Sequence, residues 1–102
     1  MSSTIRIFAR EESGAVHAKV IIPHPNESGA RRDENGILIA AHFIKEGAVY
    51  LNGNPLMELQ LGPSVSKDPF FQFRFFGKRG DLLHVSFIDN KEVTFVADAV
   101  VQ

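Results

Sequence analysis

The sequence predicts an all-β fold: an immunoglobulin/fibronectin-III-like antiparallel β-sandwich of about seven strands. Three observations predict it. Short runs alternate apolar and polar residues with a period of two, which sends the two sets to opposite faces of a sheet. Turn signals built on Gly, Asn, Asp and Pro separate these runs at spacings of roughly ten residues. No stretch combines helix length, a helical apolar period and a capping box. Cys and Trp are both zero, so the disulfide and buried Trp of antibody domains are missing and the fibronectin-like variant is favoured. A small β-barrel is the alternative architecture. The 102 residues fit one domain, 1–102, which on folding buries roughly 60–70% of the surface of its unfolded chain.

The elements follow in order. "TIRIFAR" alternates Ile5, Arg6 and Ile7. "AVHAKVII" puts Val16, Ala18, Val20 and Ile22 on one face, with His17 and Lys19 on the other. A polar connection follows, then the strand-like runs "ILIAAHFI" and "AVYLNG". Asn52-Gly53 signals a tight hairpin, because both residues tolerate positive φ. "LMELQLG" directs Met57, Leu59 and Leu61 one way and Glu58 and Gln60 the other. "GPSVSKDP" reads as turn chemistry around Ser64 and Ser66. "PFFQFRFFG" aligns Phe71, Phe73 and Phe75, and Gly80-Asp81 punctuates. "LLHVSFID" aligns Leu83, Val85 and Phe87, and Asn90-Lys91 turns into "EVTFVADAVV".

Composition excludes several functions. The net charge is -1, and Arg31-Arg32 and Lys78-Arg79 are only pairs, so nucleic acid is not the expected partner. No apolar run approaches the ~20 residues that span a bilayer. "MSSTIRIFAREES" does not read as a signal peptide. Without cysteine the chain offers neither a thiol nucleophile nor a thiolate zinc site.

Candidate chemistry is sparse. A metal site would draw on His24 and His42 with Asp33, but no histidine pair has the i, i+4 spacing of a zinc-protease helix. His17 and His84 sit mid-strand on the polar sets. Ser28 stands in "NESGA", not in a nucleophile elbow. "GKRG" at 77–80 lacks the lysine-serine and helix of a phosphate loop. The expectation is therefore no enzyme, no cofactor and no metal.

Two stretches remain. Pro23 to about Ala41 exceeds the roughly 12–15 residues at which an unstructured connection becomes unusual. It is either a docking surface or a solvated loop whose Arg31 and Arg32 pair with Asp33 and Glu34. In "PFFQFRFF", Phe70 and Phe76 face away from Phe71, Phe73 and Phe75, alongside Gln72 and Arg74. Exposed, Phe70, Arg74 and Phe76 have the composition of a protein interface. Otherwise a loop or second sheet covers them.

"HPNESGARRDENGILIAAHFI", "LNGNPL", "GPSVSKDPFFQF" and "KRGDLLHVSFIDN" together resemble, in order and spacing, the SoxZ family of the thiosulfate-oxidation system. The likeness runs from about Val16 to the C-terminus. Asn26 stands where the family usually has Met, Ala40-Ala41 replaces a proline-containing pair, and Phe87 replaces a Trp. The resemblance implies an immunoglobulin-like, non-catalytic subunit of a sulfur-carrier heterodimer. Its partner is a SoxY-like subunit that holds sulfur intermediates on a cysteine in a C-terminal arm. Other Sox enzymes act on that arm in turn. It also implies a periplasmic location, reached by export with the signal-bearing partner. His24, Pro25, Asn26, Glu27, Gly29, Arg31, Arg32 and Asp33 are then expected at a partner-docking loop, with Gly29 at positive φ. Pro23 and Pro25 would stiffen it. A free-standing β-sandwich binding module is the alternative function. A homo-oligomer is possible for the isolated chain, since a sandwich edge without its partner tends to pair.

Overall fold

The computed structural model describes residues 5–62 and 67–102. Ser64 and Ser66 lie outside the described residues. Seven strands form: β1 (Arg6–Glu12), β2 (Ala15–Ile21), β3 (Ile44–Leu51), β4 (Asn54–Gln60), β5 (Phe70–Phe76), β6 (Leu82–Asp89) and β7 (Thr94–Val100). Two sheets result, one of order β1-β2-β5 and one of order β4-β3-β6-β7. Every pairing is antiparallel. This is the predicted β-sandwich.

Local sequence explains the strand ends. Asn52 and Gly53 both adopt positive φ, 51° and 82°, the geometry of a two-residue hairpin whose twist matches its strands. β6 and β7 are joined through Asn90–Val93, with Glu92 at φ 63°.

The core lies between the sheets. Val16, Val20, Ile22, Ile44, Val49, Leu83, Val85, Phe87 and Val101 are all fully buried. Phe71 of β5 stacks on Phe87 of β6, centroids 5.8 Å apart and planes within 10°. Gly47 makes room for that ring, since a Cβ there would collide with Phe87.

One predicted strand is replaced. The apolar run Ile37–Ile44 predicts a strand, but β3 begins only at Ile44. Residues 37–43 instead fold back on 27–33 through isolated bridges, Glu27 with His42 and Arg32 with Leu38. Gly29, at φ 90° and packed near Ala41, bends the chain between those bridges. At the tip, the side chain of Asp33 accepts the N–H groups of Asn35 and Ile37, which are then lost to a ladder. The long polar connection is thus an irregular hairpin arm, residues 23–43, between β2 and β3.

Candidate functional site

The base of the arm is built on a carboxylate. Leu83, Val85, Phe87 and Asp89 alternate inward along β6, so Asp89 continues the core face and is fully buried. Its Oδ1 accepts the N–H groups of Lys91 and Val93, at 2.9 and 3.0 Å. Its Oδ2 faces His42 Nε2 at 2.9 Å and His24 Nε2 at 3.3 Å. Burial would push the Asp89 carboxyl up. The hydrogen bonds from Val93, His42, His24 and Lys91 outweigh it and hold the group below the ordinary aspartate value.

Both histidines belong to the arm. His24 leaves β2 through Ile22 and Pro23, and its backbone is tied to Asp68 in both directions. His42 is fixed by a reciprocal backbone pair with Glu27. The two rings meet edge to face, centroids 4.5 Å apart. Asn26, at φ 47°, presents its Oδ1 to Ile44 N–H, which joins the arm to the start of β3.

His24, His42 and Asp89 each offer a ligand atom within 4.8 Å of the others. Two imidazoles and a carboxylate are a set that suits zinc or iron. The hydrogen-bond geometry favours a hub. Asn26 N–H points at His24 Nδ1, 3.2 Å away, which makes Nδ1 the acceptor of that bond and leaves Nε2 to donate toward Asp89. A metal on Nε2 would require the opposite tautomer, with Nδ1–H facing Asn26 N–H.

The structure brings His24 and His42 together, as the metal reading of the sequence required, but with Asp89 in place of Asp33. Asp33 organises the far tip of the arm, accepting two N–H groups of its own turn. Nor do Arg31 and Arg32 pair with Asp33 and Glu34. Arg31 grips Glu27 through Nε and Nη2, at 3.0 and 2.5 Å. That contact lowers the Glu27 carboxyl and raises the Arg31 guanidinium from their ordinary values. Arg32 donates to the Gly36 carbonyl at 2.8 Å.

The expected docking residues therefore divide. His24 and Asn26 are buried and act as positioning groups. Pro25, Arg31 and Arg32 are exposed. So are Ile37 and Leu38 at the tip.

A second surface covers the outside of the three-stranded sheet. Phe70 is 52% exposed and Phe76 91%, so no described loop or sheet covers them. Strand register assembles the rest of the face. Arg6, Ile21 and Phe70 form one row, and Phe8, Lys19 and Gln72 the next. Arg10, His17 and Arg74 follow, then Glu12, Ala15 and Phe76. Phe8 is also exposed, and it lines a groove of about 790 Å³ with Arg10, Lys19, Ile21 and Phe70. Phe70 thus lies at the arm end of the sheet, while Phe76 stands six residues away, about 20 Å along the strand.

Sequence reasoning missed Asp89 and Phe8. Asp89 had a readable signal: an acid in phase with Leu83, Val85 and Phe87 must find partners inside. Phe8 had none, because β1 alternates too weakly to show which face is covered.

The comparisons with known proteins fit this fold. The solved structures it resembles include a superoxide reductase (neelaredoxin) from Ignicoccus hospitalis, with TM-score 0.68 and 18% identity, covering 99% of this chain and 81% of that one. A hypothetical protein from Pyrococcus horikoshii gives TM-score 0.69 at 17% identity, over 99% and 90% of the two chains. A superoxide reductase (neelaredoxin) from Archaeoglobus fulgidus gives 0.65 at 18%, over 97% and 87%. At these identities the likeness is one of fold. No curated protein matches the sequence. The family profile of sulphur oxidation protein SoxZ matches residues 5–100. The chain therefore belongs to the SoxZ family.

Proposed function

We propose that this chain is the non-catalytic subunit of a sulfur-carrier heterodimer in thiosulfate oxidation. In this reading it stabilises a SoxY-like partner and presents that partner's cysteine-bound sulfur intermediate to the other Sox enzymes. Membership of the family gives a role in the sulphur-oxidation system. The observation that carries the finer reading is the outer face of the three-stranded sheet. Exposed Phe8 and Phe70 stand there among Arg6, Arg10, Lys19 and Arg74. An aromatic anchor ringed by cations suits a protein partner. The same cations would favour an anionic sulfur adduct carried close to them.

The arm is the second element of the proposal. The hub at Asp89 fixes its base, so the exposed part is held out at low entropic cost to binding. Arg31 and Arg32 lie along it and would attract the anionic adduct, Arg31 while also holding Glu27. The family resemblance adds a periplasmic location shared with the partner.

The test is co-purification of the tagged chain from its own source grown on thiosulfate, with mass spectrometry of whatever accompanies it. The expected result is a stoichiometric partner with a C-terminal cysteine carrying added sulfur mass. A chain that elutes without such a partner would overturn the carrier reading and leave a free-standing binding module. Replacing Arg31 and Arg32 together by Ala should slow carrier-dependent turnover. Unchanged turnover would remove their electrostatic role.

A further inference from the structure

Each sheet of a sandwich has two edges, and among the described residues two of the four here carry a protecting device. β1 is capped by the C-terminus: Glu11 N–H donates to the Gln102 carbonyl, and Gln102 N–H to that of Ala9. β4 carries Pro55, which has no N–H to offer, and a register shift opposite Val49/Tyr50. β7 lacks such a device, but in the register that pairs all seven of its residues it would set Val96 against Asp98. β5 has none of these devices. Among the described residues its only strand partner is β2, it contains no proline, and its one charge is Arg74.

The sequence of β5 also reads almost the same in both directions, Phe-Phe-Gln-Phe-Arg-Phe-Phe. Two copies laid antiparallel about Phe73 pair all seven residues. Phe71 meets Phe75 of the second copy on the core face. On the outer face Phe70 meets Phe76, and Gln72 meets Arg74. Aromatic–aromatic and amide–guanidinium pairs are favourable cross-strand neighbours. A shift of two residues one way would set Arg74 against Arg74, and the other way Phe70 against Arg74. Only the centred register avoids both.

We infer that the isolated chain forms a twofold dimer through the free edge of β5, making one continuous six-stranded sheet of order β1-β2-β5-β5-β2-β1. The interface is isologous, as a twofold requires. It concerns the chain alone and does not rest on the carrier-subunit reading, which co-purification tests separately.

Sedimentation velocity of the purified full chain over a concentration series should show a reversible dimer. Gln72→Arg sets a second guanidinium against Arg74 twice per dimer and should weaken association about tenfold or more. Adding Arg74→Glu converts both contacts into ion pairs, so Gln72→Arg/Arg74→Glu should associate again. Both side chains are exposed, and circular dichroism checks that the variants stay folded. Amide exchange within 70–76 gives a readout without mutation: protection there should rise with wild-type concentration. A wild-type chain that stays monomeric overturns the proposal. So does a dimer indifferent to Gln72→Arg, a double variant that is folded yet monomeric, or dimerisation that leaves 70–76 unprotected.

Discussion

The arm base and the edge strand are opposite solutions to one problem, that of polar backbone and side chains at a sheet margin. At Asp89 the carboxylate is buried and all its hydrogen bonds come from within the chain, from two imidazoles and two backbone amides. At β5 the margin has no strand partner beyond β2 among the described residues, and its outer face carries exposed Phe70 and Phe76 with a single charge, Arg74. The first region locks geometry and needs nothing from outside. The second presents a strand edge and apolar area that no described residue covers, the kind of margin another chain can pair with. The hub positions the arm, and the edge and its outer face are the binding surface proposed above.

The sharpest way to break the contrast is at its buried side. Asp89→Ala leaves His24, His42 and two amides without their acceptor, and losing one partner of such a buried set costs about 3–5 kcal/mol. Urea denaturation should show that loss. A fall of under about 1 kcal/mol would mean that the hub does not hold the arm. Phe70→Asp is the complementary change. It should weaken binding of the carrier partner by about thirtyfold or more, the loss of a hot-spot contact, with the melting temperature nearly unchanged. Intact binding would exclude that face.

Acid sharpens the comparison further. Asp89 is held below the ordinary aspartate value of about 3.9. Its contribution is therefore complete above that pH and is lost as pH falls through the lower folded value. Wild type should lose stability on that limb, and Asp89→Asn should lose less of it. Parallel limbs would contradict the assignment. The smallest effect expected is that of metal. Because Asn26 N–H takes His24 Nδ1 as its acceptor, the arrangement opposite to the one a metal on Nε2 needs, zinc or chelator should leave the melting temperature unchanged. A zinc-induced rise abolished by His42→Ala would convert the hub into a metal centre.

Much of this could be read from residue order. The period-two runs gave the strands, and Asn52-Gly53 gave the hairpin. The even-numbered positions of β5 set Phe70 and Phe76 on the face opposite Phe71, Phe73 and Phe75, and the structure shows that face exposed. Family motifs pointed to the stretch that forms the arm. The misreadings share a cause. Ile37–Ile44 is a short apolar run like a buried strand, yet its hydrogen bonds go to Glu27, Arg31 and Asp33 of its own arm. Asp33 lies nearest His24 and His42 in sequence, yet Asp89 reaches them.

Alternation, turn chemistry and the near-palindrome of β5 are local properties, so the sequence by itself determined most of the strands and the two faces of each. Which carboxylate meets the two histidines and which edges are covered depend on contacts between residues as far apart as 47 and 65 positions. Those were decided only when the sheets packed, because a buried charge goes where donors converge in space, and convergence in space has no period in the chain.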